Sequence, residues 1–290
     1  MTADDPTALL PPPPPTTTPP TAPPPAPRPA PPSGPPAPPH RRGAGWVVLG
    51  SVLAVVLVGW GAWSTLSLLG RQVRTERTVI DEPVDVLEIH AAGPIRVVAS
   101  TSERVTITER VERSIVQPRR SQETIDGRLV LRSSCTGISN FCSVGYTVSV
   151  PTDTRLVLRS DSDSIRVEQI DGLIDASSSG GAVTVIGGSG DLRLRSWAGG
   201  VTVAESRSAD VQATSTAGSV ALELAAAPNR VDASSSAGRV SIVVPRSEVA
   251  YAVDASSSAS GTEIAVRTDP ASSRTIRASS SAGSVTVRYP

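Results

Sequence analysis

The stretch Arg230-Val-Asp-Ala-Ser-Ser-Ser-Ala-Gly-Arg-Val-Ser-Ile242 decides the fold, because variants of it recur along the C-terminal part of the chain. It contains a short strand, a serine-rich corner, a glycine and a second strand in which two apolar residues flank a small one. Beyond Leu156 such units follow one another at a period of about twenty residues, which is typical of solenoid proteins. The sequence therefore predicts an all-β, single-stranded, β-helix-like β-solenoid. A β-sandwich would also have many short strands, but its loops have no reason to repeat a corner glycine.

The second strands of the predicted coils supply seven copies of the pattern. They are Ile165-Arg-Val167, Val183-Thr-Val185, Val201-Thr-Val203, Val220-Ala-Leu222, Val240-Ser-Ile242, Ile264-Ala-Val266 and Val285-Thr-Val287. The residues two positions before them are, in the same order, Asp163, Gly181, Gly199, Gly218, Gly238, Thr262 and Gly283. Because glycine and aspartate tolerate positive φ, we expect a tight corner of that conformation here.

The first strands alternate with period two, so one face points inward and the other outward. The inward small positions are mostly alanine, and they are Ala176, Leu194, Ala213, Ala233, Ala255 and Ala278. This pattern predicts a thin interior without room for a ligand. On the outward side, stacking in chain order would place Asp232 and Asp254 about 5 Å apart, as repelling solvated charges or as a weak cation site. Serine triplets such as Ser177-Ser-Ser179 favour hydrogen-bonded structural ladders over nucleophiles.

Two surfaces are candidates for binding. The outward positions of the second strands include Thr184, Thr202, Ser241 and Thr286, which predict a flat face of small side chains that could dock a polymer or a protein. An ordinary solvated sheet is the alternative. The sequence also stops at Pro290 directly after the last strand, so Val285, Val287 and Tyr289 are expected to form an open edge. An open edge invites self-association through the terminal coil or strand addition by a partner.

The N-terminal part has a different composition. Nineteen of the 27 prolines precede His40, which predicts a disordered, proline-rich tail over residues 1–43. Residues 44–70 carry no charge and are long and apolar enough for one transmembrane helix. A linker over residues 71–78 and a solenoid domain over residues 79–290 would follow.

The orientation of that helix is not decided by arginines, because both flanks carry similar numbers of them. Cys135 and Cys142 are the only cysteines, and they are close enough in sequence to form a disulfide, although they could also remain thiols. A disulfide persists in an oxidising compartment, which favours a single-pass cell-membrane protein with a cytoplasmic N-terminus and an extracellular C-terminal domain. A metal site would need two further ligands, and no histidine lies near either cysteine.

Composition argues against several other functions. The 27 basic and 27 acidic residues cancel, so no overall field favours nucleic acid. Only two histidines are present, and His90 is adjacent to no recognisable nucleophile motif. We therefore predict that the chain is not an enzyme and has no catalytic residue, cofactor or metal.

The pattern from Leu87-Glu-Ile89, Gly93 and Ile95-Arg-Val97 to the final Ser281-Ala-Gly-Ser-Val-Thr-Val287 resembles the bacterial putative-adhesin family, a cell-envelope β-solenoid also called the toastrack domain. The resemblance covers about Val79 to Pro290. It implies an envelope location and either adhesion or envelope-stress sensing, and it carries over no catalytic residue. The expected function is thus a membrane-anchored envelope protein that displays an adhesin-like solenoid for binding. The alternative is a membrane protein that senses or signals envelope stress.

Overall fold

The computed structural model describes residues 56–58, 72–113, 117–135 and 142–290, and all of its long elements are strands. Residues 56–58 are helical, and within the described ranges no helix has the length and apolar character needed to cross a membrane. The predicted proline-rich tail and nearly all of the predicted transmembrane segment lie outside these ranges.

Within these ranges, twenty-one strands form two long sheets. In chain order they are β1 Gln72–Ile80, β2 Val86–Ala91, β3 Ile95–Ser100, β4 Val105–Arg113, β5 Arg119–Ile125, β6 Arg128–Ser134, β7 Ser143–Pro151, β8 Arg155–Ser160, β9 Ile165–Glu168, β10 Ile174–Ser178, β11 Val183–Ile186, β12 Leu192–Ser196, β13 Val201–Ser206, β14 Asp210–Ser215, β15 Val220–Leu224, β16 Arg230–Ser235, β17 Val240–Val243, β18 Ala252–Ser257, β19 Thr262–Ala265, β20 Thr275–Ser280 and β21 Val285–Arg288. Sheet A has the order β1-β4-β7-β3-β9-β11-β13-β15-β17-β21-β19, and sheet B has the order β18-β20-β16-β14-β12-β10-β8-β2-β6-β5.

Each coil contributes its first strand to sheet B and its second strand to sheet A. Neighbouring coils pair in parallel and in register, so that Ile174 lies beside Leu192 in sheet B and Val183 lies beside Val201 in sheet A. Except on the strands at the two ends, the inward side chains of both sheets are mostly aliphatic and almost completely buried. The predicted all-β solenoid is confirmed for the described residues.

The coils do not stack in chain order at either end. Near the N-terminal end, the coil β6/β7 lies outside β2/β3, and the chain then returns to place β8/β9 on the other side. Antiparallel strands extend this end further, β4 and β1 in sheet A and β5 in sheet B. At the opposite end, the coil β20/β21 lies between β16/β17 and β18/β19. The stacking in chain order that was predicted for the coils beyond Leu156 is therefore wrong at the C-terminal end.

The corner glycines are required by close approach and not by their backbone dihedrals. None of the five in the described range 142–290 has a positive φ, so the predicted positive-φ corner is wrong. A Cβ atom on Gly199 would instead lie 2.4 Å from backbone atoms of Gly181, and one on Gly218 would lie 2.5 Å from Gly199. The backbone of each corner therefore stacks directly on the backbone of the neighbouring coil.

A ladder of buried serines joins these corners. The Ser196 hydroxyl donates to the carbonyl oxygen of Gly181 at 2.9 Å and accepts from the Gly199 amide of its own coil at 3.0 Å. The same pair of bonds recurs at Ser178, Ser215, Ser235 and Ser280. The predicted structural ladder is confirmed, and it satisfies backbone groups that the corner would otherwise leave unpartnered.

Candidate interaction surfaces

The predicted small-residue face lies in a single file on the outer side of sheet A. Thr184 lies beside Thr202, and Ser241 lies beside Thr286, with Ala221 joining the two pairs. These side chains are exposed or half-buried. The structure therefore brings the four predicted residues into one row, in which hydrogen-bonded strands are about 4.8 Å apart and Ala221 lies between Thr202 and Ser241.

The terminal member of that file differs from the prediction. The register places Thr262 beside Val285 and Ile264 beside Val287, a shift of two residues from the predicted alignment. Glu263 therefore follows Thr286 in the file, and a shallow depression of about 540 Å³ forms beside both residues. The lining includes Arg239 and Arg288, so this end of sheet A is charged and not uniformly small.

The predicted open edge at Val285, Val287 and Tyr289 is wrong. Strand β21 pairs with β17 on one side and with β19 on the other, and Val285 and Val287 are completely buried. Among the described residues, the strands with a single neighbour at this end are β18 and β19. Their inward side chains are incompletely covered, and Ile264 is 44% exposed.

The coil β20/β21, which we call the interleaved coil because it lies between β16/β17 and β18/β19, also changes the predicted charge pattern on sheet B. Arg277 lies beside Asp232 on one side and beside Asp254 on the other. Asp232 and Asp254 are therefore two strands apart, and the positively charged Arg277 lies on the strand between them. Neither the predicted repulsion nor a weak cation site between adjacent carboxylates applies.

A basic file on the outer face of sheet B is absent from the sequence predictions. Across successive strands it contains Arg132, His90, Arg159, Ser177 and Arg195, which we call the arginine file. The three arginines are exposed, and they occupy every second strand. A signal for it exists in the sequence, since Leu129-Val-Leu-Arg-Ser133, Leu156-Val-Leu-Arg-Ser160 and Leu192-Arg-Leu-Arg-Ser196 share one motif.

Glu88 neutralises part of this file. Its Oε1 lies 3.1 Å from His90 Nε2 and 3.5 Å from Arg132 Nη2. Arg159 and Arg195 form no salt bridge with any residue that the structure describes. The file thus keeps uncompensated positive charge although the chain as a whole is neutral.

A surface depression of about 320 Å³ lies at the β5 end of the arginine file. Its lining is rich in hydrogen-bond donors and consists of His90, Arg119, Arg120, Ser121, Arg132, Ser133 and Ser134. The Arg120 guanidinium already forms salt bridges, because its Nη1 lies 2.9 Å from Glu109 and 3.1 Å from Glu76. Arg119, by contrast, forms no salt bridge within the described ranges. The polar groups of these residues form only a minor part of the exposed lining, which is mostly apolar, and Glu88 contacts both His90 and Arg132.

The two cysteines lie between β6 and β7. The structure joins Cys135 and Cys142 by a disulfide, with their Cα atoms 5.9 Å apart. The bridge lies at the base of the loop between these strands, next to the N-terminal end of the solenoid.

The chain resembles several solved structures at low sequence identity. No protein-family model matches the chain, and no curated protein matches it. Similar solved structures include a putative adhesin from Bacteroides fragilis, which is 16% identical, with a TM-score of 0.44 and coverage of 76% of this chain and 97% of that one. A putative cell adhesion protein from Clostridium sporogenes is 10% identical, with a TM-score of 0.39 and coverage of 76% and 100%. A putative adhesin from Parabacteroides distasonis is 12% identical, with a TM-score of 0.37 and coverage of 76% and 97%.

Proposed function

We propose that this chain is a single-pass, membrane-anchored envelope protein whose β-solenoid acts as a binding module on the external side. The observation that carries the proposal is the pair of straight outward files, the small polar file on sheet A and the arginine file on sheet B. Side chains repeated at strand spacing along a rigid stack can contact a repetitive partner at many points at once.

In this proposal the solenoid binds a partner and does not catalyse a reaction. The inward positions of the described coils are filled with aliphatic side chains, such as Leu158, Ala176 and Leu194, that leave no polar group facing the interior at those positions. His90, the histidine within the domain, contacts Glu88 on the outer face. Such a pair without a neighbouring nucleophile is better suited to electrostatic contact with a partner than to acyl transfer.

The membrane anchor and the external location rest on two features. Residues 44–70 are uncharged and apolar, and β1 begins at Gln72, directly after them. The disulfide between Cys135 and Cys142 would persist outside the cytoplasm but not within it. Both features favour a membrane-anchored domain on the external surface.

Protease shaving of intact cells tests this orientation. We expect loss of the solenoid domain, with a fragment retained that contains an epitope tag on residues 1–43. Alkylation of intact cells with a membrane-impermeant maleimide, before and after reduction, should label Cys135 and Cys142 only after reduction. A domain protected from protease in intact cells, yet digested after lysis, would overturn the external location.

Envelope-stress signalling is the second candidate, because the proline-rich residues 1–43 would lie on the opposite side of the membrane from the solenoid. Proline-rich extended segments are common ligands of recognition modules. Affinity capture of membrane partners with the full chain and with a chain lacking residues 1–43 separates the two functions. Partners lost with the tail favour signalling, whereas partners retained favour binding by the solenoid itself.

A further inference from the structure

We infer that the arginine file of sheet B is a binding track for a linear polymer that bears phosphate groups. The inference rests on the proposed binding function and names the chemistry of one partner. It does not depend on which side of the membrane the domain occupies.

The spacing of the file is the first argument. Arg132, Arg159 and Arg195 occupy alternate strands, so their Cα atoms repeat at roughly 10 Å, twice the strand spacing. His90 and Ser177 lie between them and add hydrogen-bond donors at the intervening strands. Guanidinium groups bind phosphate through two parallel hydrogen bonds, and a row of them at fixed intervals matches a chain of anions.

The width of the file is the second argument, and it favours a polymer over a membrane surface. The neighbouring outward file, two residues earlier in each strand, contains Val130, Glu88, Val157, Asp175 and the exposed Arg193. Acidic and apolar side chains thus flank Arg132 and Arg159, and the positive strip is one residue wide except at β12, where Arg193 lies beside Arg195. A flat anionic lipid surface would place its headgroups against these carboxylates as well, whereas a single polymer chain can follow the strip alone.

The two ends of the file give the third argument. At one end lies the depression lined by His90, Arg119 and Arg132, where Arg119 adds a guanidinium group that forms no salt bridge within the described ranges. At the other end, Trp197 follows the last strand of the file and is 72% exposed, a costly position for so large an apolar surface. This exposed indole, two residues after Arg195, adds an aromatic surface at this end of the file.

The binding test uses the full chain in neutral detergent and a fluorescently labelled linear polyphosphate as the probe. We expect saturable binding that weakens as salt rises, with a log–log slope that counts the phosphates contacted. The variant Arg132→Ala/Arg159→Ala/Arg195→Ala should bind roughly tenfold or more weakly and should have a shallower slope. All three side chains are exposed, so this variant should retain its unfolding midpoint, which circular dichroism checks.

The matched control removes the same charge from the other end of the molecule. The variant Arg239→Ala/Arg267→Ala/Arg288→Ala should bind polyphosphate like the parent chain. Equal loss of binding in the two triple variants would mean that net charge alone attracts the probe, and it would overturn the inference. Binding to anionic phospholipid nanodiscs without binding to polyphosphate would overturn it too, as would equal binding of a carboxylate polymer such as polyglutamate. None of these failures would change the result of protease shaving.

Discussion

A Cβ atom on Gly283 would lie 2.3 Å from the carbonyl oxygen of Gly238 in the adjacent coil. Relief of such an overlap needs a shift of backbone, so Gly283→Ala should reduce the free energy of unfolding by about 1 to 3 kcal/mol. Gly261 is the matched control, because no atom of the described residues lies within 4 Å of the Cβ position there. Urea unfolding followed by circular dichroism measures both variants, and equal midpoints would contradict the stacking argument.

The serine ladder predicts a difference between neighbouring serines. The buried Ser235 hydroxyl donates to the Gly218 carbonyl oxygen at 2.8 Å and accepts from the Gly238 amide at 2.8 Å. The variant Ser235→Ala leaves both groups without that partner and should cost about 1 to 3 kcal/mol. Ser236 is exposed, so Ser236→Ala should change the unfolding midpoint little. Similar losses in both variants would mean that the ladder does not stabilise the stack.

Stability should fall at alkaline pH in a way that depends on Tyr146. Burial, reinforced by the Glu109 carboxylate, raises the pKa of Tyr146 to about 12. The unfolded chain loses this proton near pH 10, so the folded state is favoured fully below that pH and progressively less as pH rises toward 12. The variant Tyr146→Phe should flatten this loss when urea midpoints are compared at about pH 9 and about pH 11. Burial raises the pKa of Tyr251 as well, so part of the loss should remain.

Self-association, if it uses the terminal coil, should depend on β18 and β19. Ile264 is 44% exposed there, and Ile264→Lys would place a charge at the point where a second copy would add its strands. Ile125 is 63% exposed on β5 at the opposite end, which makes Ile125→Lys the matched control. Sedimentation of the full chain in detergent should show a smaller oligomeric fraction for Ile264→Lys alone. An identical distribution in all three chains would exclude this edge.

The sequence predicted the coil well because the coil is a local unit. A strand such as Arg230-Val-Asp-Ala-Ser234 carries its own alternation, and the corner glycine lies a few residues away. The reason for that glycine could not be read locally, since its Cβ position meets the backbone of another coil and not its own turn. Periodicity therefore identified the position correctly but gave the wrong physical cause.

The order of the coils was not predictable from repetition alone, because similar units can exchange places without changing the pattern of any one of them. The charges on the outer face of sheet B partly indicate the true order of the coils. Chain order would place Asp254 beside Asp232, whereas insertion of β20 places Arg277 between them. The arginine file was not predicted for the same reason. Arg132 and His90 are neighbours only because β6 pairs with the outer side of β2.

The interleaved coil at the C-terminal end constrains how the chain can be made. Residues 275–288 emerge from the ribosome after β18 and β19, yet they occupy the layer beneath those strands. During synthesis the face of β16 and β17 is exposed to β18 and β19 first, and any contact made then must be released before β20 and β21 can enter. The last layers of this protein can therefore reach their native order only after residues 275–288 have been synthesised.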